Sequence, residues 1–148
     1  MHSCFDVAKY FLAQSCEDAG DLISNLKLQK LVYYAQGFSL ALHDEPLFQE
    51  PIEAWMHGPV VPALYRAYRD YGSNAIPAPA NFDASIFSHK EKQLLEEVYD
   101  VYGQYSAWKL RQLTHSEAPW QVNFIEGVTS QQIPINEMKS YFRENLVG

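Results

Sequence analysis

His115 and Glu117 are the residues of this 148-residue chain that come nearest to a recognisable catalytic pattern. They form a His-x-Glu, the pair from which zinc deaminases draw a metal ligand and a general acid/base, but the Pro-Cys-x-x-Cys that completes that set is absent from the sequence. With His57 alongside, the two would offer two imidazoles and a carboxylate to a hydrolytic zinc ion. Nothing in the spacing compels the three to meet, and the same residues read equally as a polar turn over 114–120 closed by Trp120. Neither Cys4 nor Cys16 lies at a helix N-terminus beside a cation, and no Gly-x-Ser-x-Gly elbow exists, so both thiols read as buried and inert. The seven glycines never cluster, which excludes a phosphate loop or a dinucleotide fingerprint. The expectation is a chain that is not an enzyme and carries no metal or cofactor. The alternative is a metal-dependent hydrolase using His57, His115 and Glu117.

Binding is the second kind of chemistry the residues offer. Tyr65, Arg66, Tyr68 and Arg69 share a short helical stretch, with Trp55 and His57 just ahead of them. Either the rings are core and the arginines solvated, or the six make a partner-binding patch, since Tyr, Trp and Arg dominate interface hot spots. Aromatic residues make up 14% of the chain, including ten Tyr and three Trp, more rings than one small core readily encloses. Eleven Lys and Arg stand against 18 Asp and Glu, a net −7 that repels phosphate backbones and argues against a nucleic-acid partner. The basic residues come as scattered pairs, Lys27 with Lys30, Arg66 with Arg69 and Lys109 with Arg111, which read as solvated helix faces.

The elements that must position these residues centre on 24–43. There Leu28, Leu31, Val32, Ala35, Phe38, Ser39 and Leu42 fall on one helical face. Gln29, Gln36, His43 and Tyr33 flank it and Lys27, Lys30 and Tyr34 form a further stripe, so the helix should be central and packed on several sides. Ser24 or Asn25 can cap it. Gly37 in its middle costs about 1 kcal/mol relative to Ala and implies that a ring or backbone crosses there closely. Ahead of it, Ser3 and Asp6 form a capping box for a first helix with Cys4, Val7, Ala8, Phe11, Leu12 and Ser15 on its inner side, ending over 17–20. Both cysteines fall in that stretch, about 18 Å apart along a helix axis, too far to pair.

Downstream, 47–48 and 52–56 are short extended pieces, 57–59 a turn, and Pro62 the first residue of a helix running to about Tyr71, with Leu64, Ala67, Tyr68 and Tyr71 inward and Gly72 as its cap. An irregular connector spans 73–87. Ser88 and Glu91 box a helix that Gly103 loosens, Ser106 starts another, 133–135 is extended, and Asn136 caps a last helix carrying Met138, Tyr141, Phe142 and Leu146. The fold expected is α+β and predominantly α-helical, a single compact domain over 1–148 around a buried helix at about 25–43, with a small β element near 47–56. No leader and no run of 18 apolar residues is present in the sequence, so the expected location is cytoplasmic.

Several of these stretches occur together in a known family. The run NLKLQKLVYYAQG at 25–37, PLF at 46–48, PIEAW at 51–55, HGPVVP at 57–62 and YSAW at 105–108, with Leu110, Leu113, Thr114, His115, Pro119 and Trp120, closely resemble the Panacea domain. This SocA-like antitoxin domain includes phage- and mobile-element-associated proteins of the GepA type. The resemblance implies a mostly helical antitoxin that binds a cognate protein toxin directly, with presentation of the toxin to a cellular protease as the alternative. It supplies no catalytic residues. Lys27, Gln29, Trp55, His57 and Gly58 belong to the resembling motifs, and the DNA-binding segment of many relatives has no counterpart here.

Overall fold

The structure, a computed structural model, describes residues 1–15, 22–128 and 130–147. Its centre is helix α2, Asn25–His43, capped by the Ser24 hydroxyl, which accepts from the Lys27 N–H. The expected face is inward at Leu28, Leu31, Val32 and Ala35, and the flanks are inward too: Lys27, Gln29, Lys30, Tyr33, Tyr34 and Gln36 are all buried. Lys27 and Lys30 are thus no solvated pair, because α2 is covered on every side by α1, α3, α4, α5, α7 and the sheet. Leu42, at the end of the apolar face, is exposed instead, where it lines an open groove with Leu94, Val101 and Leu146.

Burial on all sides obliges the polar side chains of α2 to find partners, and they find them on the backbone of neighbouring segments. Gln36 donates to the Phe48 carbonyl and accepts from the Leu47 N–H, at 2.9 and 2.8 Å. Gln29 accepts from the Val61 N–H at 2.9 Å and donates to Asn25, which in turn donates to the Tyr65 carbonyl. Lys27 Nζ donates to the Gly103 carbonyl at 2.6 Å and Ser39 Oγ to that of Glu45 at 2.7 Å. One helix thereby holds 45–48, the start of α3 and the end of α4.

Helix α1, Cys4–Gln14, opens with the Ser3/Asp6 capping box and buries Cys4, Val7, Ala8, Phe11 and Leu12. It ends at Gln14 with Ser15 extended; Cys16 and the expected terminator over 17–20 lie outside the described residues. Strands β1, Glu53–Trp55, and β2, Gly58–Val60, form an antiparallel hairpin in the register Glu53↔Val60, Ala54↔Pro59, Trp55↔Gly58. The turn is therefore at Met56 and His57, and Gly58 and Pro59 are strand, at an edge where Pro is tolerated. On the other side of β1, residues 131–133 add a third line of pairing through Ala54 N–H to Gln131 O and Ile133 N–H to Ile52 O.

Helix α3, Pro62–Tyr68, starts at the proline and tightens into a 3₁₀ turn, Arg69–Tyr71, before Gly72. Leu64 is buried as expected, whereas Ala67, on the helix, and Tyr71, in the 3₁₀ turn beyond it, are exposed. Helix α4, His89–Tyr102, has the Ser88/Glu91 box, and α5, Ala107–His115, starts at Ser106. Residues expected as a turn after His115 form the short helix α6, Ala118–Gln121. Pro134, not Asn136, precedes α7, Ile135–Tyr141, which continues through a π turn, Phe142–Leu146. Most rings are core: Tyr34 stacks on Tyr102 at 3.9 Å, and Phe142 meets Tyr33 and Phe38 at 5.5 and 5.0 Å. The fold is α+β and predominantly helical.

Phe142 also accounts for Gly37, since a Cβ there would lie inside its ring. Gly37→Ala should lower stability by about 1–3 kcal/mol, against the ~1 kcal/mol that helix propensity alone would add. Combining it with Phe142→Ala should cost less than the two single losses added together. Thermal and denaturant unfolding read both, and a neutral or stabilising Gly37→Ala removes this account of the glycine.

Candidate functional site

The expected binding residues lie on the hairpin and on α3, and Trp55 and Tyr65 join the two. Trp55, at the end of β1, packs edge-on against Tyr65 of α3 at 5.1 Å, both half-buried. Its indole N–H is held by Glu53 at 2.9 Å, which fixes the ring. Arg66 and Arg69, one turn apart, are exposed, and His57 at the turn is exposed beside Met56. Tyr68 is half-buried, and Tyr71 lies near it at 6.3 Å. The rings are thus seated in the fold by one edge while the guanidinium groups and the turn face solvent. Such an arrangement offers rigid aromatic area flanked by cations, suited to a protein surface carrying carboxylates.

Behind the turn stand His115, Glu117 and Trp120. Trp120 donates its indole N–H to the Trp55 carbonyl at 2.6 Å and is sandwiched between His115, at 3.8 Å, and Phe124, at 4.7 Å. The ring of His115 is also hydrogen-bonded by the Met56 backbone, and burial, then the Arg111 and Lys30 charges, hold its pKa below the ordinary value. Glu117 points elsewhere, 5% exposed, accepting from the hydroxyls of Tyr34 at 2.8 Å and Tyr33 at 3.3 Å. The three residues of the hydrolase alternative therefore do not converge. Among the described residues, no group of three or more His, Cys, Asp and Glu is placed to hold a metal ion. Cys4 is fully buried and its thiol is pushed up to about 12, chiefly by burial and then by Glu50, which leaves it unreactive. No local signal points to the role of Glu117, because Tyr33 and Tyr34 lie more than eighty residues away from it.

Burial raises the Glu117 pKa to about 7, with the Tyr34 and Tyr33 hydrogen bonds pulling it back. The native protein then keeps a proton that the unfolded chain releases above the ordinary value of 4.5. Its contribution is complete below pH 4.5 and declines as pH rises through 7. The melting-temperature advantage of the wild type over Glu117→Gln should thus be larger at about pH 5 than at about pH 8. Taking the difference between the two proteins isolates this carboxyl from His115, which acts in the opposite sense. A difference that is flat or grows with pH contradicts the assignment.

Comparison with known proteins places this arrangement. The family model described as "Antitoxin SocA-like, Panacea domain" matches residues 28–121, from within α2 through α6, and so takes in the hairpin, the α3 face and Trp120. The chain is similar to Antitoxin SocA of Caulobacter vibrioides, 33% identical over 111 residues, a match covering 68% of this chain and 59% of that protein. The chain thus spans less than two thirds of that relative's length. No solved structure matches it. The match over 28–121 makes this chain a member of the SocA-like antitoxin family, with the Panacea domain as the part it carries.

Proposed function

We propose that the chain is an antitoxin that binds a cognate protein toxin directly and neutralises it without catalysis. The observation that carries this reading is family membership over the segment that includes the hairpin and α3. Its binding surface is the region of Trp55, His57, Tyr65, Arg66, Tyr68 and Arg69, where half-buried rings stand beside exposed guanidinium groups. A standard interface buries about 800 Å² per partner, and this side of the molecule continues through exposed Met56, Ala67, Asp70 and Tyr71. The net −7 of the chain disfavours nucleic acid as the direct ligand. Among the described residues, no helix is long and apolar enough to cross a membrane. A rigid surface of this kind supports neutralisation by occlusion, because the rings of Trp55 and Tyr65 are already held by Glu53 and by their mutual packing.

Co-expression with the product of the adjacent reading frame tests the proposal: growth should be rescued and the two proteins should co-purify. Toxin half-life separates occlusion from delivery to a protease, being unchanged by the antitoxin in the first case and shortened in the second. Arg66→Ala with Arg69→Ala should weaken toxin binding by about 2 kcal/mol or more while leaving the melting temperature unchanged, as both side chains are exposed. Unaltered affinity in that double variant moves the interface off α3.

A further inference from the structure

Three buried side-chain nitrogens make no hydrogen bond among the described residues: Lys30 Nζ, Arg111 Nε and His115 Nε2. They are not scattered. Arg111 and His115 sit one turn apart on α5, on neighbouring positions of one helix face. Between them Thr114 faces Gly58, and so does Lys30 from α2: a Cβ on Gly58 would lie 2.5 Å from Lys30 Cε, 2.9 Å from Thr114 Oγ1 and 3.3 Å from Lys30 Nζ. Gly58, at φ +116°, is therefore glycine both for its backbone and because the lysine side chain occupies the space beside it. The imidazole is held in place by its stack on Trp120 and by the Met56 backbone, so the orientation of its free nitrogen is fixed.

Electrostatically the cluster is one-signed. The Arg111 charge acts on Lys30, and the Arg111, Lys30 and His57 charges act on His115, with no carboxylate among the described residues acting on either group. Burial, then Arg111, lowers the Lys30 amine to about 7. Glu117, the buried carboxylate of this region, is committed to Tyr33 and Tyr34. Lys30 and Arg111, whose guanidinium also lies over the Trp108 ring at 5.1 Å, are costly as buried cations, and an anion beside them gains charge-assisted hydrogen bonds and favours the protonated form of His115 that donates a further one.

We propose that Lys30, Arg111 and His115 form a binding site for one small oxyanion, inorganic phosphate or a carboxylate, behind the hairpin turn. Bound there, the anion ties α2 to α5 under the β1–β2 turn and stiffens the base of the proposed toxin-binding surface. The site itself does not depend on the antitoxin reading, since its evidence is the donor cluster alone.

Thermal unfolding of the purified chain near pH 5.5, with sodium phosphate or sodium acetate titrated in and ionic strength held with sodium chloride, tests it. The melting temperature should rise, by about 3–6 °C at tenfold over the dissociation constant, and keep climbing with the logarithm of anion concentration beyond it. A response to phosphate alone identifies the inorganic anion, and one to acetate identifies the carboxylate. Lys30→Met should abolish the response, and Arg111→Gln should weaken apparent affinity about tenfold or more. Lys109→Met, at an exposed position of the same helix, should leave the response intact. Should Lys30→Met not fold, the half-buried Arg111 decides by itself. No rise in melting temperature with either anion at constant ionic strength, or the same rise in Arg111→Gln as in the wild type, overturns the proposal.

Discussion

Gln36 illustrates the constraint from which the rest of the structure follows. It is a buried amide on a helix surrounded by protein, and both ends of it must be satisfied there; they are satisfied by the backbone of Leu47 and Phe48. Gln29 does the same for Val61, and through Asn25 for Tyr65. Leaving any such donor or acceptor unpaired costs about 1–3 kcal/mol, so the loop backbone is held as firmly as the helix that holds it. Apolar packing makes α2 central, but its polar side chains decide where the chain enters and leaves the hairpin and α3. The expected binding residues are therefore mounted on a short hairpin and a two-turn helix that neither could sustain alone.

That dependence explains which parts were legible in the amino-acid order. The inward face of α2, the Ser3/Asp6 and Ser88/Glu91 boxes and the start of α3 at Pro62 are local signals, and the structure has them. Gly37 announced a close approach without saying whose, and Phe142 lies 105 residues further on. Lys27 and Lys30 looked like solvated charges because sequence spacing cannot show that α4 ends at one and that Gly58 and Thr114 surround the other. The turn expected at 57–59 starts one residue earlier, at Met56 and His57, because Gly58 pairs with Trp55, a pairing that sequence spacing cannot show. The helix at 118–121 was hidden by its proline, which sits in the first turn, where it does no harm.

The candidate site divides along the same line. That rings and guanidinium groups would share a short helix could be read from Tyr65, Arg66, Tyr68 and Arg69; that Trp55 would brace Tyr65, and Trp120 the Trp55 carbonyl, could not. His115 and Glu117, neighbours in sequence with chemistry in common, face different partners in the fold: one lies flat on Trp120, the other accepts from two tyrosines. A short interval between ligand types says nothing of direction when a helix end falls between them. The family motifs accordingly include the residues that lock the turn to α2, α5 and α6: Lys30 and Thr114 against Gly58, and Trp120 on the Trp55 carbonyl.

Native-state amide hydrogen exchange at Leu47 and Val61 tests the central claim most directly. Both N–H groups lie outside helices and sheet yet donate to glutamine side chains of α2. If those side chains hold the loops, the two amides exchange only through global unfolding, with the same protection as Val32 in the middle of α2. Fast exchange at Leu47 and Val61 beside a fully protected Val32 would show that the loops open independently, and would contradict the account.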